Sequence, residues 1–268
     1  NYAHQALSNV EVVGSGSSDA EARFKNDANA AYLNALNWVK TGDVRYRNKS
    51  IQILNDWGKT FRSMTVASGT NSAQVQLESA WMLPLWLSAA EIMKHHQHGA
   101  AGWQASEVAV FNGFVNRLYD MAYQARTRTN NWAVSAALAM MSTGVFQDNK
   151  SRYEEGRKRL MEMMPLSIFG DGEVNELQSR DCWHPQYNLI GLVHGAEMAS
   201  IQGDNSVWNH KVSANDSKPR LAMGLDYMAN ALTKGQGVRD CRSYHLENGY
   251  ADMGASAYMD RNVAINAF

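Results

Sequence analysis

Eight stretches of the sequence carry apolar residues at intervals of three and four positions, and short polar turns separate them. This spacing is that of one buried face of an α-helix. The alternation of apolar and polar residues that is typical of strands is nearly absent. The sequence therefore predicts an all-α protein with helices over 19–41, 44–61, 73–95, 103–125, 131–143, 151–164, 185–201 and 220–233.

A series of helices joined by short turns leaves few ways to bury the apolar faces. Tryptophan, tyrosine and methionine are spread evenly along the chain and indicate one continuous core. We expect an incomplete (α/α) toroid of antiparallel inner and outer helices, formed as a single domain over residues 1–268. If the seventh helix is inner, the first, third and fifth are inner too, and their N-termini open on one face of the ring.

The charge balance restricts the possible partners. A formal net charge of −1 gives no overall field that would attract nucleic acid, so local arginines would have to hold any anionic ligand. The apolar runs are far shorter than the eighteen or so residues that span a bilayer, so we expect no membrane insertion. The sequence has no signal-peptide pattern, which fits either a cytoplasmic protein or a trimmed chain. Because it starts at Asn1, we expect a trimmed protein that is secreted or periplasmic.

The stretch 171–199 changes character at Pro185. Proline lacks the N–H that a first helical turn leaves unpaired, so we expect His184 to cap a helix that starts at Pro185. Tyr187 would then lie in the first turn and Arg180 in the preceding loop. The positive end of the helix dipole favours an anion at this point. The polar residues crowded before the proline are Glu173, Glu176, Arg180, Asp181 and His184.

Amides and aromatic side chains at the starts of the other inner helices would face the same cleft. A ring of amides, a phenol and a guanidinium at helix N-termini suits a polyhydroxylated anion. The candidates for binding it are Asn130, Asn131 and Trp132 at the fifth helix and Asn71 and Gln74 at the third. Asparagine is also a common helix N-cap, and one of Asn130 and Asn131 is expected to cap the fifth helix.

Four segments resemble, in the same order, the alginate lyase family of polysaccharide lyases. The first is ALNWVKTGDVRYRNKSIQILNDW at 35–57, and segments 78–91, 130–143 and 171–199 follow. The most specific feature is the pattern RDxxHxxY, made by Arg180, Asp181, His184 and Tyr187 after an Asn-Asn-aromatic sequence. The resemblance covers residues 19–205.

The resemblance implies an incomplete (α/α) toroid and β-elimination of 1,4-linked polyuronates. Tyr187 matches the catalytic tyrosine of the family, Arg180 the arginine near the substrate, and Asn131 the asparagine that neutralises the substrate carboxylate. Several members follow this asparagine with a histidine, whereas Trp132 follows here. We expect His184 to supply the second carboxylate contact instead.

Elimination requires no metal or other cofactor, because the residues themselves can provide its steps. The proton at C5 becomes acidic once the adjacent carboxylate is neutralised by charge-assisted hydrogen bonds. An unperturbed tyrosine has a pKa near 10, so a nearby cation is needed to make Tyr187 an effective base at neutral pH. His95, His96 and His98 suggest a metal cluster, but solvated histidines are common at a helix C-terminus, and we expect no metal there.

Each candidate also has an ordinary structural interpretation. Tyr187 can be a core tyrosine, Arg180 an ion-pair partner of Glu176 or Asp181, and His184 only a helix cap. Two other functions therefore stay open. One is a glycoside hydrolase of uronic-acid oligosaccharides with the same helical ring, which uses a pair of carboxylates or, for unsaturated uronides, an acid that hydrates the double bond. The other is a polyuronate-binding protein without activity. A hydrolase would have to draw on Glu173, Glu176 and Asp181, which lie in one loop instead of across a cleft.

Cys182 and Cys241 are the only two cysteines, and we expect them to form a disulfide. The bridge would bring Arg239, Arg242, Tyr244 and His245 to the rim of the cleft, where Arg239 and Tyr244 are candidates for substrate binding. Closing a loop of about sixty residues would stabilise the fold by roughly 4 kcal/mol. Two free buried thiols in a cytoplasmic protein are the alternative.

A single acid–base residue also restricts the substrate. In 1,4-linked mannuronate and glucuronate, the C5 hydrogen and the C4 oxygen lie on the same side of the ring, so one tyrosine can serve both. In guluronate they lie on opposite sides. The sequence therefore favours an acidic polysaccharide of mannuronate or glucuronate over polyguluronate.

Overall fold

The structure, a computed structural model, describes residues 2–244. Within this range, helices form at each of the eight predicted places, and their ends differ from the predicted ones by a few residues. Short 3-10 turns follow α3 and α4 at His96–His98 and Ala125–Thr127. The helices are α1 (Asp19–Thr41), α2 (Val44–Thr60), α3 (Gln74–His95), α4 (Ala105–Gln124), α5 (Asn131–Phe146), α6 (Lys150–Ser167), α7 (His184–Ile201) and α8 (Arg220–Lys234).

Capping residues explain why α1 begins and ends where the sequence predicts. The side chain of Ser18 accepts a hydrogen bond from the Glu21 N–H, which satisfies a donor of the first turn. At the other end, Gly42 has a φ of 71° and donates its N–H to the Trp38 carbonyl. Glycine adopts this left-handed conformation without steric cost, so the helix stops there.

The odd-numbered helices are neighbours and run in the same direction. Lys25 and Glu78 pair near the starts of α1 and α3, and Trp38 in the last turn of α1 meets His96 just after the end of α3. Near the ends of α3 and α5, Lys94 donates a hydrogen bond to the Phe146 carbonyl. The N-termini of α1, α3 and α5 therefore gather on one face, as the sequence predicts.

Antiparallel partners pack between these helices on the outside of the ring. Gly156 of α6 lies so close to α5 that an added Cβ would come within 2.8 Å of the Ala137 carbonyl oxygen. The start of α7 meets the end of α6 at a 3.2 Å hydrogen bond from Ser167 to Asn188. Gly144 near the end of α5 also packs against Tyr153 near the start of α6, and Leu160 of α6 packs against Gly195 further along α7. Since α6 is thus antiparallel to both α5 and α7, those two helices are parallel. The architecture is the predicted incomplete (α/α) toroid.

Buried apolar side chains form two groups instead of the single continuous core that the sequence predicts, and α5 contributes to both. In the first group, aromatic rings pack with centroids 5.2 to 6.4 Å apart. Burying each ring completely stabilises the fold by about 1.5–3 kcal/mol relative to exposure. The rings are those of Phe24, Trp57, Phe61, Trp86 and Phe114. The second group lies among α5, α6, α7 and α8.

Two short strands were not predicted. They are β1 (Asn9–Val12) and β2 (Ser63–Val66), which pair in parallel with Val10 opposite Met64. Each has only four residues, so alternation over such a length is hard to distinguish from chance. Among the helices of the described residues, none is both long enough and apolar enough to cross a bilayer.

Candidate active site

The site lies where the parallel inner helices α3, α5 and α7 begin. The ring of Trp81 in α3 lies 6.3 Å from the ring of Tyr187 in α7. In α7, Gly191 packs against Val134 of α5 so closely that an added Cβ would be 2.6 Å from the valine Cγ1. One helical turn before these contact points are Tyr187 and Asn131, so the two helix starts lie side by side.

Asp181 fixes the start of α7. Its Oδ1 atom accepts hydrogen bonds from the backbone N–H groups of Trp183 and His184, both at 2.8 Å. The prediction that His184 caps the helix was wrong: His184 is its first residue and Pro185 its second. The carboxylate of Asp181 takes the capping role, because from outside the helix it satisfies the N–H of the first residue, His184, and that of Trp183 just before it.

The same carboxylate orients the His184 ring. Its Oδ2 atom lies 2.6 Å from the Nδ1 of His184, which leaves Nε2 for another partner. Burial raises the pKa of Asp181, but the N–H groups of His184 and Trp183 and the His184 ring outweigh it and hold the pKa below its ordinary value. The His184 ring in turn meets Tyr187 edge to face, with centroids 5.3 Å apart.

Arg180 is the most exposed of the predicted catalytic side chains, at 48%. Its Nη1 donates to Oε1 of Glu176 at 2.8 Å, and its Nε lies 3.7 Å from Oδ2 of Asp181. Glu176 adopts a φ of 72°, a conformation that a non-glycine residue rarely adopts. The ion pair predicted as the structural interpretation of Arg180 is therefore present, and the exposed guanidinium still faces solvent.

The two asparagines at α5 have different environments. Asn130 is the N-cap, and its side chain accepts a hydrogen bond from the Trp132 N–H at 3.3 Å, which confirms that one of the pair caps the helix. Asn131 is 2% exposed, and its Oδ1 atom has no hydrogen-bond partner among the described residues. A buried amide oxygen without a partner is unusual in a stable site and is suited to a ligand donor.

Residues 15–237 match the protein family described as alginate lyase. The chain belongs to this family. It is therefore a polysaccharide lyase, the enzyme class that the sequence predicts.

Solved structures of the alginate lyase fold resemble the chain over most of its length. Alginate lyase A1-III from Sphingomonas species A1 has a TM-score of 0.68 and 16% identity, covering 91% of this chain and 73% of that chain. An alginate lyase from Bacteroides ovatus has a TM-score of 0.67 and 12% identity, covering 84% and 69%. A histidine-to-alanine variant of A1-III complexed with tetrasaccharide has a TM-score of 0.68 and 17% identity, covering 87% and 67%.

These identities establish a shared fold. No curated protein sequence has a significant match to the chain.

The predicted binding residues of this alginate lyase family member at α3 lie at the same face as Tyr187. Asn71 turns the chain before the helix, because its Oδ1 accepts the Ala73 N–H at 3.0 Å. Gln74 is the first residue of α3, one helical turn before Glu78 and two before Trp81. At α5, Trp132 is partly exposed and carries the guanidinium of Arg128 on its ring.

The C-terminal candidates pack against the loop before α7. Cys182 and Cys241 are joined in a disulfide, the pairing that the sequence predicts. Arg239 donates to the carbonyls of Arg180 and Gln178, at 3.2 and 3.0 Å, and so supports the loop that carries Arg180. The Tyr244 ring lies 6.0 Å from that of Trp183. His245, predicted at the same rim, lies outside the described residues.

Several polar residues at this end were missed by the sequence analysis. Gln186, 5% exposed, donates to the Cys182 carbonyl at 2.5 Å, and its Oε1 has no partner among the described residues. Glu78 is buried beside Lys25 and Glu21. Glu78 has no local sequence signal, because its partners lie on a distant helix. A glutamine in the first turn of a helix is too common to mark Gln186 as special. In residues 2–244, no group of three or more His, Cys, Asp or Glu side chains is arranged to hold a metal ion.

Proposed function

We propose that the chain depolymerises a 1,4-linked polyuronate by syn β-elimination, with Tyr187 as both base and acid. The substrate is either polymannuronate, including the mannuronate blocks of alginate, or glucuronan. The observation that carries this proposal is the contact between the rings of Tyr187 and His184, 5.3 Å apart, at the parallel starts of α5 and α7. The phenol thus has a second polar ring and a helix N-terminus beside it. The family membership supplies the reaction class.

Elimination begins with neutralisation of the uronate carboxylate at the cleaved sugar. The exposed guanidinium of Arg180 can donate two parallel hydrogen bonds to it. Asn131 offers its amide N–H groups from the first turn of α5, and the imidazolium form of His184 offers Nε2–H, since Nδ1–H donates to Asp181. These donors stabilise the negative charge that grows on the carboxylate as the C5–H bond breaks, as an oxyanion hole does.

Tyr187 then removes the proton from C5 and supplies a proton to the leaving O4. Its phenolate takes the C5 proton, the C4–O4 bond breaks as the C4=C5 double bond forms, and the phenol returns a proton to the leaving O4. One residue can do both only when the hydrogen and the oxygen lie on the same face of the ring. Mannuronate and glucuronate meet this condition and guluronate does not.

Trp132 supports the choice of a single acid–base residue. Several family members have a histidine at this position that could act from a second side, whereas an indole offers no acid or base. Two of the three carboxylates that a hydrolase would use are engaged: Glu176 pairs with Arg180, and Asp181 binds His184 and two backbone N–H groups. Only Glu173, in the same loop, is left. This arrangement disfavours a hydrolase, which needs one free carboxylic acid and one carboxylate on opposite sides of the bond.

Binding residues around the reaction centre complete the proposal. We assign Asn130, Trp132, Asn71, Gln74, Tyr244 and Arg239 to the cleft rim, with Arg239 acting through the loop that it supports. The disulfide between Cys182 and Cys241 supports an oxidising compartment, either secreted or periplasmic. No cofactor takes part in these steps.

The test is to incubate the protein separately with polymannuronate, glucuronan and polyguluronate while recording ultraviolet absorbance. A lyase creates a conjugated C4=C5 double bond that absorbs, a hydrolase creates new reducing ends without it, and a binding protein creates neither. We expect absorbance to rise with polymannuronate or glucuronan and to stay flat with polyguluronate. A preference for polyguluronate would contradict the single-tyrosine mechanism.

A further inference from the structure

Arg128 and Trp132 form a stacked pair at the mouth of the site. The guanidinium carbon of Arg128 lies 4.1 Å from the centroid of a Trp132 ring, a cation–π contact. Trp132 follows Asn131 in the first turn of α5. Of the residues in that helix, only Trp132 and Val145 are not buried, so the indole is the exposed aromatic surface at the cleft end.

The guanidinium of Arg128 differs from those of the other described arginines in its polar contacts. Among residues 2–244 it has neither a hydrogen bond nor an ion pair. Every other arginine in this range donates to a carboxylate, a carbonyl or an amide oxygen. Five N–H donors are therefore available on a planar group whose face is held by the indole.

The backbone beneath this side chain is fixed by another arginine. Arg159 of α6 donates to the carbonyl of Arg128 from Nη2 and to the carbonyl of Arg126 from Nε, both at 2.7 Å. The segment is thus attached to the outer helix, and the stack on Trp132 limits the remaining side-chain rotations. Little conformational entropy is left to lose when a ligand binds the guanidinium edge.

We propose that Arg128, oriented by Trp132, binds the carboxylate of a uronate sugar next to the one that is cleaved. The inference rests on the proposed function for its substrate class, because each sugar of a polyuronate carries one carboxylate. The open edge of a guanidinium matches a carboxylate with two parallel hydrogen bonds. Arg128 is then a binding residue that raises the affinity only for oligosaccharides long enough to reach it. This role is separate from the neutralisation of the carboxylate by Arg180 and Asn131.

Arg152 provides a matched control. Its guanidinium also lies 4.1 Å from an aromatic ring, that of Tyr119, but it donates to Asn116 and Gln147. It is near the start of α6, at the opposite end of the ring from the start of α5. Replacing it removes an equally stacked arginine without touching the cleft.

The experiment measures affinity by titration calorimetry in the inactive Tyr187→Phe protein, with mannuronate and glucuronate oligosaccharides from dimer to hexamer. Arg128→Ala is expected to weaken binding of the longer oligosaccharides by about tenfold or more, the loss for a hydrogen-bonded charge. Arg128→Lys should lose part of this affinity, because an ammonium cannot make the bidentate contact. Arg152→Ala should bind like the parent, and oligosaccharides with reduced carboxyl groups should not distinguish Arg128→Ala from it.

Steady-state kinetics in the active protein give a second measurement. Arg128→Ala is expected to raise KM for the polymer and leave kcat within about twofold, because the contact is equally present before and during the chemical step. Equal affinities of Arg128→Ala and the parent at every length would overturn the inference, as would a loss of kcat with KM unchanged. Circular dichroism and thermal unfolding check that each variant is folded.

The outcomes also separate this inference from the proposed function. If the parent protein, with Tyr187 in place, forms no unsaturated ends but the length-dependent effect of Arg128 persists, the lyase mechanism fails and the binding site stands. If the protein forms unsaturated ends and Arg128→Ala has no effect on affinity, the mechanism stands and the binding site fails. If no uronate oligosaccharide binds at all, the binding site fails as well.

Discussion

The Nδ1 atom of His184 lies 2.6 Å from the Oδ2 atom of Asp181, while the other oxygen of that carboxylate accepts two backbone N–H groups at the start of α7. One side chain thus fixes both the helix start and the imidazole that touches Tyr187. We expect Asp181→Asn to lower kcat by about ten- to a hundredfold, the loss for a charge-assisted hydrogen bond, with a smaller change in KM. Asp43→Asn is the control, because Asp43 caps α2 at the opposite end of the ring.

The same variant has a predicted pH dependence of stability. The pKa of Asp181 in the folded protein is below its ordinary value. The carboxylate therefore contributes its full stabilisation of the fold above the unfolded-state pKa, near 4, and loses it as pH falls through the folded-state pKa. The difference in Tm between the parent and Asp181→Asn should therefore be largest at neutral pH and shrink in acid. A difference that grows in acid would contradict the role of the carboxylate.

Tyr187→Phe removes only the hydroxyl that carries the proton. Turnover should fall by about a hundredfold to ten-thousandfold, the usual contribution of general acid–base catalysis, while the unfolding temperature stays close to that of the parent. Tyr46→Phe is a matched substitution in the first turn of α2, at the far end of the ring, and should keep full activity. Retention of more than about a tenth of the activity in Tyr187→Phe would be hard to reconcile with the proposed mechanism.

Asn131→Ala and Arg180→Ala test the neutralisation of the carboxylate. Both interactions strengthen as charge develops in the transition state, so kcat should fall more than KM rises. Arg180→Ala also frees Glu176, whose Oε2 is already buried without a hydrogen-bond partner in the described residues. Arg180→Lys separates the loss of stability caused by an unpaired Glu176 from the loss of substrate neutralisation. A lysine keeps a cation beside Glu176 but cannot bind the substrate carboxylate with the bidentate geometry. A rise in KM alone would indicate simple binding.

The disulfide between Cys182 and Cys241 joins residues 59 apart in the chain. Closing such a loop stabilises the folded state by roughly 4 kcal/mol in the chain-entropy model. We expect the double variant Cys182→Ser, Cys241→Ser to unfold at lower denaturant and to lose activity, because the segment with Arg239 supports the loop of Arg180. Thiol labelling in denaturant should find no free thiol before reduction and two after it. Two labelled thiols in the unreduced protein would refute the bridge.

Helix positions could be predicted because periodicity and caps are local properties. The ends were harder to predict. α5 continues past the predicted end at Thr143 because Gly144 packs closely against Tyr153 and does not stop the helix. α6 passes beyond the predicted end at Met164 through Pro165 to Ser167, where the proline removes one i→i−4 hydrogen bond and only two helical residues follow it. The strands β1 and β2 were missed, because each pairs with a partner more than fifty positions away.

The candidate site was predictable where the sequence pattern itself brings residues together. Arg180, His184 and Tyr187 lie on one loop and the first turn of α7, so their spacing determines their proximity. The role of Asp181 was assigned to His184, because a proline marks the helix start without showing which nearby oxygen caps it. The partner of Glu78 depends on how α1 and α3 pack and could not be derived from spacing. Arg128 and Trp132 are only four positions apart, but this spacing does not show that the guanidinium stacks on the indole instead of pairing with a carboxylate.

Glu78 provides the last prediction. It lies between α1 and α3 at 1% exposure, with its Oε1 3.4 Å from Nζ of Lys25, which also pairs with Glu21 at 2.6 Å. Burial raises the pKa of Glu78 to about 8, and Lys25 only partly offsets this. In the unfolded chain, the group ionises near its ordinary value of 4.5. Between these two values the folded state holds a proton that the unfolded state has released, so stability falls as pH rises through this window and levels off above it.

Glu78→Gln keeps the size of the side chain and removes this titration. The Tm of the parent relative to the variant should therefore decline from pH 5 to pH 8, the window set by the two pKa values, and stay constant at higher pH. Glu154→Gln, an exposed substitution on α6, controls for the loss of one negative charge. A relative Tm that stays constant or rises across this window would show that Glu78 is already ionised in the folded protein, held by Lys25 as an ion pair.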